Sequence, residues 1–120
     1  MARILVVEDD ADVAELIRFR LTASGHLVLV ASDGEEGIVA ARVDAPDLVI
    51  LDWMMPRKNG IEVCTELRAD ARFERTRILM LTARAKEADI ASAYAAGVDD
   101  YVTKPFSPRE LLARVQRLIV

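Results

Sequence analysis

The feature that most constrains this chain is a regular alternation of short apolar runs with longer segments of helical periodicity. The apolar runs cover residues 4–7, 27–31, 48–51, 78–81 and 101–103. This alternation predicts five strand–helix units that form a parallel sheet with helices on both faces. Because the runs are continuously rather than alternately apolar, we expect strands that are covered on both sides.

The helical segments carry recognisable end signals. Val13, Ile17 and Leu21 share one helical face, and Gly25 follows where the C-terminus of the first helix belongs. Further helices are predicted from the turn at residues 32–34 to about residue 44, over about 60–69 and 86–96, and over about 108–118. Ser107 and Glu110 predict a capping box at the start of the last helix.

Composition limits the class of protein. With 120 residues, 52% hydrophobic and 30% charged, we expect one soluble domain spanning residues 1–120. A net charge of -4 opposes direct binding of nucleic acid or of an anionic membrane. Cys64 is the sole cysteine and has no partner for an internal disulfide. The apolar run at residues 4–7 is far too short for a signal or membrane-spanning segment, so we expect a cytoplasmic protein.

Acidic residues cluster directly after two of the predicted strands. Glu8, Asp9 and Asp10 follow the first strand, and Asp52 follows the third. The carboxyl ends of parallel strands meet at one edge, so these side chains are expected to lie together. Converging carboxylates favour a hard cation, which predicts a Mg²⁺ or Mn²⁺ site. The alternative is a solvated acidic loop that caps a helix, and we assign that role to Asp10.

Two further strand ends carry hydrogen-bond donors. Thr82 closes the fourth strand and Lys104 follows the fifth. A hydroxyl and an ammonium suit phosphoryl oxygens, and phosphoryl transfer needs an acceptor oxygen, charge neutralisation and such donors. The constellation therefore predicts phosphoryl transfer to Asp52.

Four segments together resemble the receiver domains of two-component response regulators. They are ILVVEDDADV, LVILDWMMPRKNGIEVC, ILMLTARA and GVDDYVTKPFSPRELLARV, in this order along essentially the whole chain. The resemblance implies a flavodoxin-like (βα)5 three-layer sandwich, with a five-stranded parallel sheet of order 2-1-3-4-5. It also implies a phosphorylation-controlled switch, not a conventional enzyme, that assists its own phosphorylation and dephosphorylation.

The resemblance also assigns site roles. Asp52 would accept a phosphoryl group from a sensor histidine kinase or a histidine phosphotransfer protein. The metal ion would be bound by Glu8, Asp9, Asp52 and the backbone carbonyl of Met54. Many receivers carry Asp at the position of Glu8. The phosphoryl group would be contacted by Lys104, by Thr82 and by the backbone N–H of Ala83.

Further expectations concern the switch and the signal that leaves it. By resemblance, Tyr101 is a switch aromatic that responds to Thr82, and the bond before Pro105 is cis. The segments SPRELLARV and VDDY resemble receivers of winged-helix DNA-binding regulators. These form homodimers through the fourth helix, fifth strand and fifth helix. The residues concerned here are Lys86, Asp100, Glu110 and Arg114, although Ile90 and Ala96 stand where charged partners are usual.

Three other functions share parts of this pattern. A haloacid-dehalogenase-type phosphohydrolase also phosphorylates an aspartate after a strand, but it requires a second Asp where this chain has Met54. A flavodoxin-like electron carrier would bind the FMN phosphate near the first strand, where the acids at residues 8–10 would repel it. A receiver that acts as a binding module without phosphorylation is the third.

Overall fold

Five parallel strands form one sheet at the centre of the molecule, in the order β2-β1-β3-β4-β5. The computed structural model describes residues 1–119. The elements along the chain are β1 (Arg3–Val7), α1 (Ala11–Ala23), β2 (Leu27–Ala31), α2 (Gly34–Asp44), β3 (Leu48–Leu51), α3 (Gly60–Arg68), a 3-10 turn (Ala71–Phe73), β4 (Arg77–Thr82), α4 (Glu87–Ala96), β5 (Asp100–Thr103) and α5 (Pro108–Leu118). The predicted fold class and strand order are confirmed.

The apolar core lies in two layers, one on each face of the sheet. Alternate side chains of β1 serve the two layers: Leu5 and Val7 pack toward α2, α3 and α4, whereas Ile4 and Val6 pack toward α1 and α5. Nearly all of β1, β3 and β4 is buried. The continuous apolar runs of these strands are explained by helices on both sides.

The edge strand β2 departs from that expectation. Leu27, Leu29 and Val30 are 48%, 40% and 39% exposed. Being at the edge of the sheet, β2 has one strand neighbour, and α1 and α2 do not cover it fully. The prediction that every strand is covered on both faces is therefore wrong for β2, because apolar sequence alone does not distinguish edge from central strands.

The helix ends are capped mostly as predicted, but the complete capping box lies at the start of α3 and not of α5. Ser107 accepts a hydrogen bond from the backbone of Glu110, but within residues 1–119 the Glu110 side chain makes no return bond and faces Arg114. The complete capping box instead starts α3, where Asn59 and Glu62 bond each other's backbone at 2.9 and 3.0 Å. This box fixes the end of the loop that runs from Asp52, after β3, to the start of α3.

Candidate functional site

The carboxyl ends of four strands bring together the side chains singled out in the sequence. Glu8 and Asp9 follow β1, Asp52 follows β3, Thr82 is the last residue of β4, and Lys104 follows β5. The parallel order places β1 and β4 on either side of β3, so Asp52 lies at the centre of this edge. We call this group of five residues the acidic edge.

Three carboxylates of the acidic edge converge on a small space. One oxygen from each of Glu8, Asp9 and Asp52 lies within 4.8 Å of the other two. Glu8 and Asp52 are buried, whereas Asp9 is exposed. Carboxylates held so close repel one another, and an oxygen-binding divalent cation relieves that repulsion. This donor set fits Mg²⁺ or Mn²⁺.

Asp52 is oriented by the backbone that follows it. Oδ1 accepts hydrogen bonds from the N–H groups of Trp53 at 2.6 Å and Met54 at 3.4 Å. Gly60 lets the start of α3 approach this turn, because a Cβ there would collide with the Asp52 carbonyl and with Trp53. Oδ2 accepts from the ammonium of Lys104.

Lys104 ties two of the acids together. Its ammonium donates to Oε1 of Glu8 at 2.6 Å and to Oδ2 of Asp52 at 2.9 Å. Burial alone would lower the pKa of Lys104, but these two hydrogen bonds raise it above its ordinary value. Lys104 therefore stays protonated at neutral pH. The peptide bond from Lys104 to Pro105 is cis.

Glu8 shows the opposite balance. Burial raises its pKa, and the nearby charge of Asp52 adds to this, while hydrogen bonds from Lys104 and from the backbone of Asp10 oppose the rise.

Asp10 itself caps α1 by accepting from the N–H groups of Asp12 and Val13. Its placement outside the carboxylate cluster agrees with the capping role expected from the sequence.

The two predicted switch residues meet at Arg84, which lies in the segment ILMLTARA but received no role from the sequence. The hydroxyl of Thr82 accepts from the Arg84 N–H at 3.4 Å, and the hydroxyl of Tyr101 donates to the Arg84 carbonyl at 2.6 Å. Tyr101 is buried, and that burial raises its pKa, with the charge of Asp89 contributing. Thr82 and Tyr101 are thus connected through one residue of the loop after β4.

The side chain of Arg84 reaches across to the loop after β3. Its guanidinium carbon lies 4.5 Å from the centre of the Trp53 ring, and Nη1 approaches the Met54 sulfur at 3.4 Å. Nη2 pairs with Asp89 in the first turn of α4 at 3.2 Å. No sequence signal points to this contact, because 30 residues separate Met54 from Arg84.

The four residues expected to pair two copies lie on α4, β5 and α5, or beside them. Asp100 is buried and bonds Arg114 of its own chain at 2.7 Å, and also Arg117 at 3.0 Å. Arg114 also approaches Glu110 at 3.8 Å, and Lys86 is the N-cap residue of α4. Two of the four charges thus satisfy each other within one chain. Pairing through this face stays a prediction.

The comparison with protein families decides the class. The model of the response regulator receiver domain matches residues 4–116. The chain belongs to this family. The phosphohydrolase and electron-carrier alternatives are thereby set aside.

Individual relatives extend the match. The receiver is 46% identical over 117 residues to the alkaline phosphatase synthesis transcriptional regulatory protein PhoP of Bacillus subtilis. That alignment covers 98% of this chain and 48% of PhoP. The phosphate regulon transcriptional regulatory protein PhoB of Rhizobium meliloti is 44% identical, with 99% and 52% covered. The chain thus spans about half the length of the curated relatives it matches.

Solved structures agree with the fold of the receiver. The chemotaxis response regulator CheY4 of Vibrio cholerae superimposes with a TM-score of 0.94 at 31% identity, covering 98% of both chains. The BeF3-activated N-terminal receiver domain of RstA from Klebsiella pneumoniae gives 0.91 at 32% identity, covering 98% of this chain and 97% of RstA's. None of the helices formed by residues 1–119 combines the length and apolar character needed to span a bilayer.

Proposed function

We propose that the receiver accepts a phosphoryl group on Asp52 from a phosphohistidine of a sensor histidine kinase or histidine phosphotransfer protein. The observation that carries this proposal is the acidic edge: a buried carboxylate with one oxygen fixed by backbone N–H groups and the other beside an ammonium. In the transfer, an Asp52 oxygen forms a bond to phosphorus while the phosphorus–nitrogen bond breaks. The released imidazole takes up a proton.

The residues around Asp52 supply charge and donors. Glu8, Asp9 and Asp52 would hold Mg²⁺ or Mn²⁺ together with the Met54 carbonyl, and the cation would neutralise phosphoryl oxygens. Lys104, already 2.9 Å from Asp52, would pair with another of these oxygens. The Thr82 hydroxyl and the Ala83 N–H would donate to the rest, as the family resemblance implies.

Phosphorylation would act through Thr82 and Tyr101. To donate to the phosphoryl group, the Thr82 hydroxyl would move toward it, and this movement would break the 3.4 Å hydrogen bond that Thr82 accepts from Arg84. Tyr101 is bonded to the same residue. The switch would thereby reach α4, β5 and α5, the face through which we propose that two copies pair or an output domain is controlled. Nucleic acid contact would belong to another domain, since this chain carries a net charge of -4.

Hydrolysis of the phosphorylated Asp52, which ends the signal, would take place at the same site. A water molecule attacks phosphorus, the bond from phosphorus to the Asp52 oxygen breaks, and inorganic phosphate leaves with the carboxylate restored. The acidic edge would assist this hydrolysis as it assists the transfer, because the same charges stabilise both transition states.

The test is phosphorylation by acetyl phosphate or phosphoramidate with Mg²⁺, measured by intact mass. We expect a gain of one phosphoryl group that EDTA prevents and that Asp52→Ala abolishes. An adduct that persists in Asp52→Ala would contradict the proposal. Because fast hydrolysis can hide the adduct, the experiment is repeated with beryllofluoride, and failure to bind it as well would leave a receiver that acts without phosphorylation.

A further inference from the structure

Arg84 carries a donor that the rest of the site does not use. Among residues 1–119, its Nε–H is buried and has no hydrogen-bond acceptor. A buried donor without an acceptor costs about 1–3 kcal/mol, so such a group normally has a partner in some state of the molecule. The guanidinium lies against Trp53 and Met54, the two residues whose N–H groups hold Asp52.

The charge balance of the acidic edge indicates what that partner is. A divalent cation held by the three carboxylates of the cluster would, together with Lys104, offset their charge. Phosphorylation then replaces the carboxylate of Asp52 by a group that carries about one more negative charge. Arg84 is the next cation along this edge, since its backbone N–H already bonds Thr82 and its side chain covers the turn after Asp52.

Resting on the function proposed above, we propose that Arg84 is a second cationic residue of the phosphoryl site. In the unphosphorylated receiver Asp89 holds the guanidinium at 3.2 Å. In the phosphorylated receiver the guanidinium gives up Asp89, and the Nε–H that lacks an acceptor donates to a phosphoryl oxygen. Asp89 lies in the first turn of α4, so the exchange also frees the start of that helix.

The exchange predicts opposite effects for the two members of one ion pair. The probe is beryllofluoride with Mg²⁺, titrated into the full chain by calorimetry or fluorine NMR. Arg84→Gln removes the cation and should weaken binding about threefold to tenfold, the range of a charged hydrogen bond near the surface. Asp89→Asn removes the competing acceptor and should strengthen binding about threefold. Arg84→Lys, which keeps the charge, should restore part of the lost affinity.

Two controls separate this exchange from a general effect of net charge. Arg42→Gln breaks an exposed pair with Glu66 on α2 and α3, and it changes net charge by the same amount as Arg84→Gln. It should leave beryllofluoride binding unchanged. In the double variant Arg84→Gln/Asp89→Asn, the gain caused by Asp89→Asn should vanish, because that gain comes from the release of Arg84. A gain that survives in the double variant would show long-range electrostatics and overturn the inference.

The outcomes also separate this inference from the proposed function. If the unchanged receiver binds no beryllofluoride, the function itself fails and the role of Arg84 falls with it. If the receiver binds normally but both single variants weaken binding, the ion pair only supports the fold of the loop. Unchanged binding in Arg84→Gln would likewise overturn the inference and leave the function intact.

Discussion

The two ends of the sheet use the same kinds of charged side chain in opposite ways. At the amino-terminal end, Arg68 donates to the carbonyls of Gly97, Phe73 and Thr76 and to the carboxylate of Asp99, all at 2.7–2.9 Å. At the carboxyl-terminal end, three carboxylates converge, and Glu8 and Asp52 share the ammonium of Lys104. One end has its charges satisfied, whereas the other is short of positive charge.

This difference separates an end that stabilises the fold from an end whose charges are available to bind a ligand. Asp99 accepts from Arg68 and from the backbone N–H of Ile78, so it connects α3 to β4 directly before β5 begins. Such a network stabilises only when each member has its partner. Glu8, in contrast, is buried with its pKa raised, which marks a group held at some cost to folding. The site end is thus the part of the fold that a ligand can stabilise.

The largest predicted effect removes the network at the amino-terminal end. Arg68→Met should lower the free energy of unfolding by about 3 kcal/mol, because it takes one donor from each of three carbonyls and removes the nearer of the two cations that pair with Asp99. Urea denaturation measures the loss, and phosphorylation of the remaining folded protein should persist. Arg68→Lys should lose less, since the charge remains. A loss below about 1 kcal/mol in Arg68→Met would break the comparison between the two ends.

The second prediction concerns the site end. Mg²⁺ should raise the free energy of unfolding by about 1.4 kcal/mol at a concentration tenfold above its Kd, because it binds the folded carboxylates alone. Thermal or urea unfolding in Mg²⁺ against EDTA gives the value. Asp9→Asn should remove most of this increment, whereas Arg68→Lys should keep it. Equal stabilisation of the receiver and of Asp9→Asn would place the cation elsewhere.

The smallest predicted effect tests burial beside the satisfied network. Cys64 lies one turn before Arg68, its thiol donates to the Ala96 carbonyl, and burial raises its pKa to about 11. An unfolded thiol titrates near pKa ~8.5, so above this pH the unfolded chain binds fewer protons than the native one. The stabilising contribution is therefore complete below the unfolded pKa and is lost as pH rises toward the folded value.

That loss can be isolated by comparison with Cys64→Ala. Between about pH 7.5 and about pH 9.5 the receiver should lose about 1 kcal/mol more stability than Cys64→Ala, in which this group is missing. Using the difference between the two proteins cancels the titration of lysines and tyrosines elsewhere. Parallel pH profiles would show that the thiol titrates normally and that water reaches this region of the fold.

Much of the fold followed from local pattern, and the departures have physical causes. The apolar runs predicted the five strands, and Gly97, where φ is +115°, predicted the end of α4. The structure agrees with both. The exposed side of β2 depends on strand order, which no single run contains. The capping box of Asn59 and Glu62 has the same spacing as the pattern at Ser107, and spacing alone does not show which of the two closes.

The candidate site likewise has residues that the sequence predicts and contacts that it does not. Glu8, Asp9, Asp52, Thr82 and Lys104 were predictable because strand ends share one edge. The stacking of Arg84 on Trp53 was not, since it joins two loops whose approach depends on the finished sheet. The pairing of Asp100 with Arg114 inside one chain was equally hidden, because the same spacing allows bonds within a chain or between copies.

The central claim, that Asp52 carries the phosphoryl group, is tested most directly by trapping the acyl phosphate. After phosphorylation with acetyl phosphate and Mg²⁺, borohydride reduces an acyl phosphate to an alcohol, which converts the modified aspartate to homoserine. Peptide mass spectrometry should then find homoserine at position 52 in the receiver, and none when Mg²⁺ is replaced by EDTA. The corresponding alcohol at Glu8, Asp9 or another carboxylate, with Asp52 unmodified, would contradict the account.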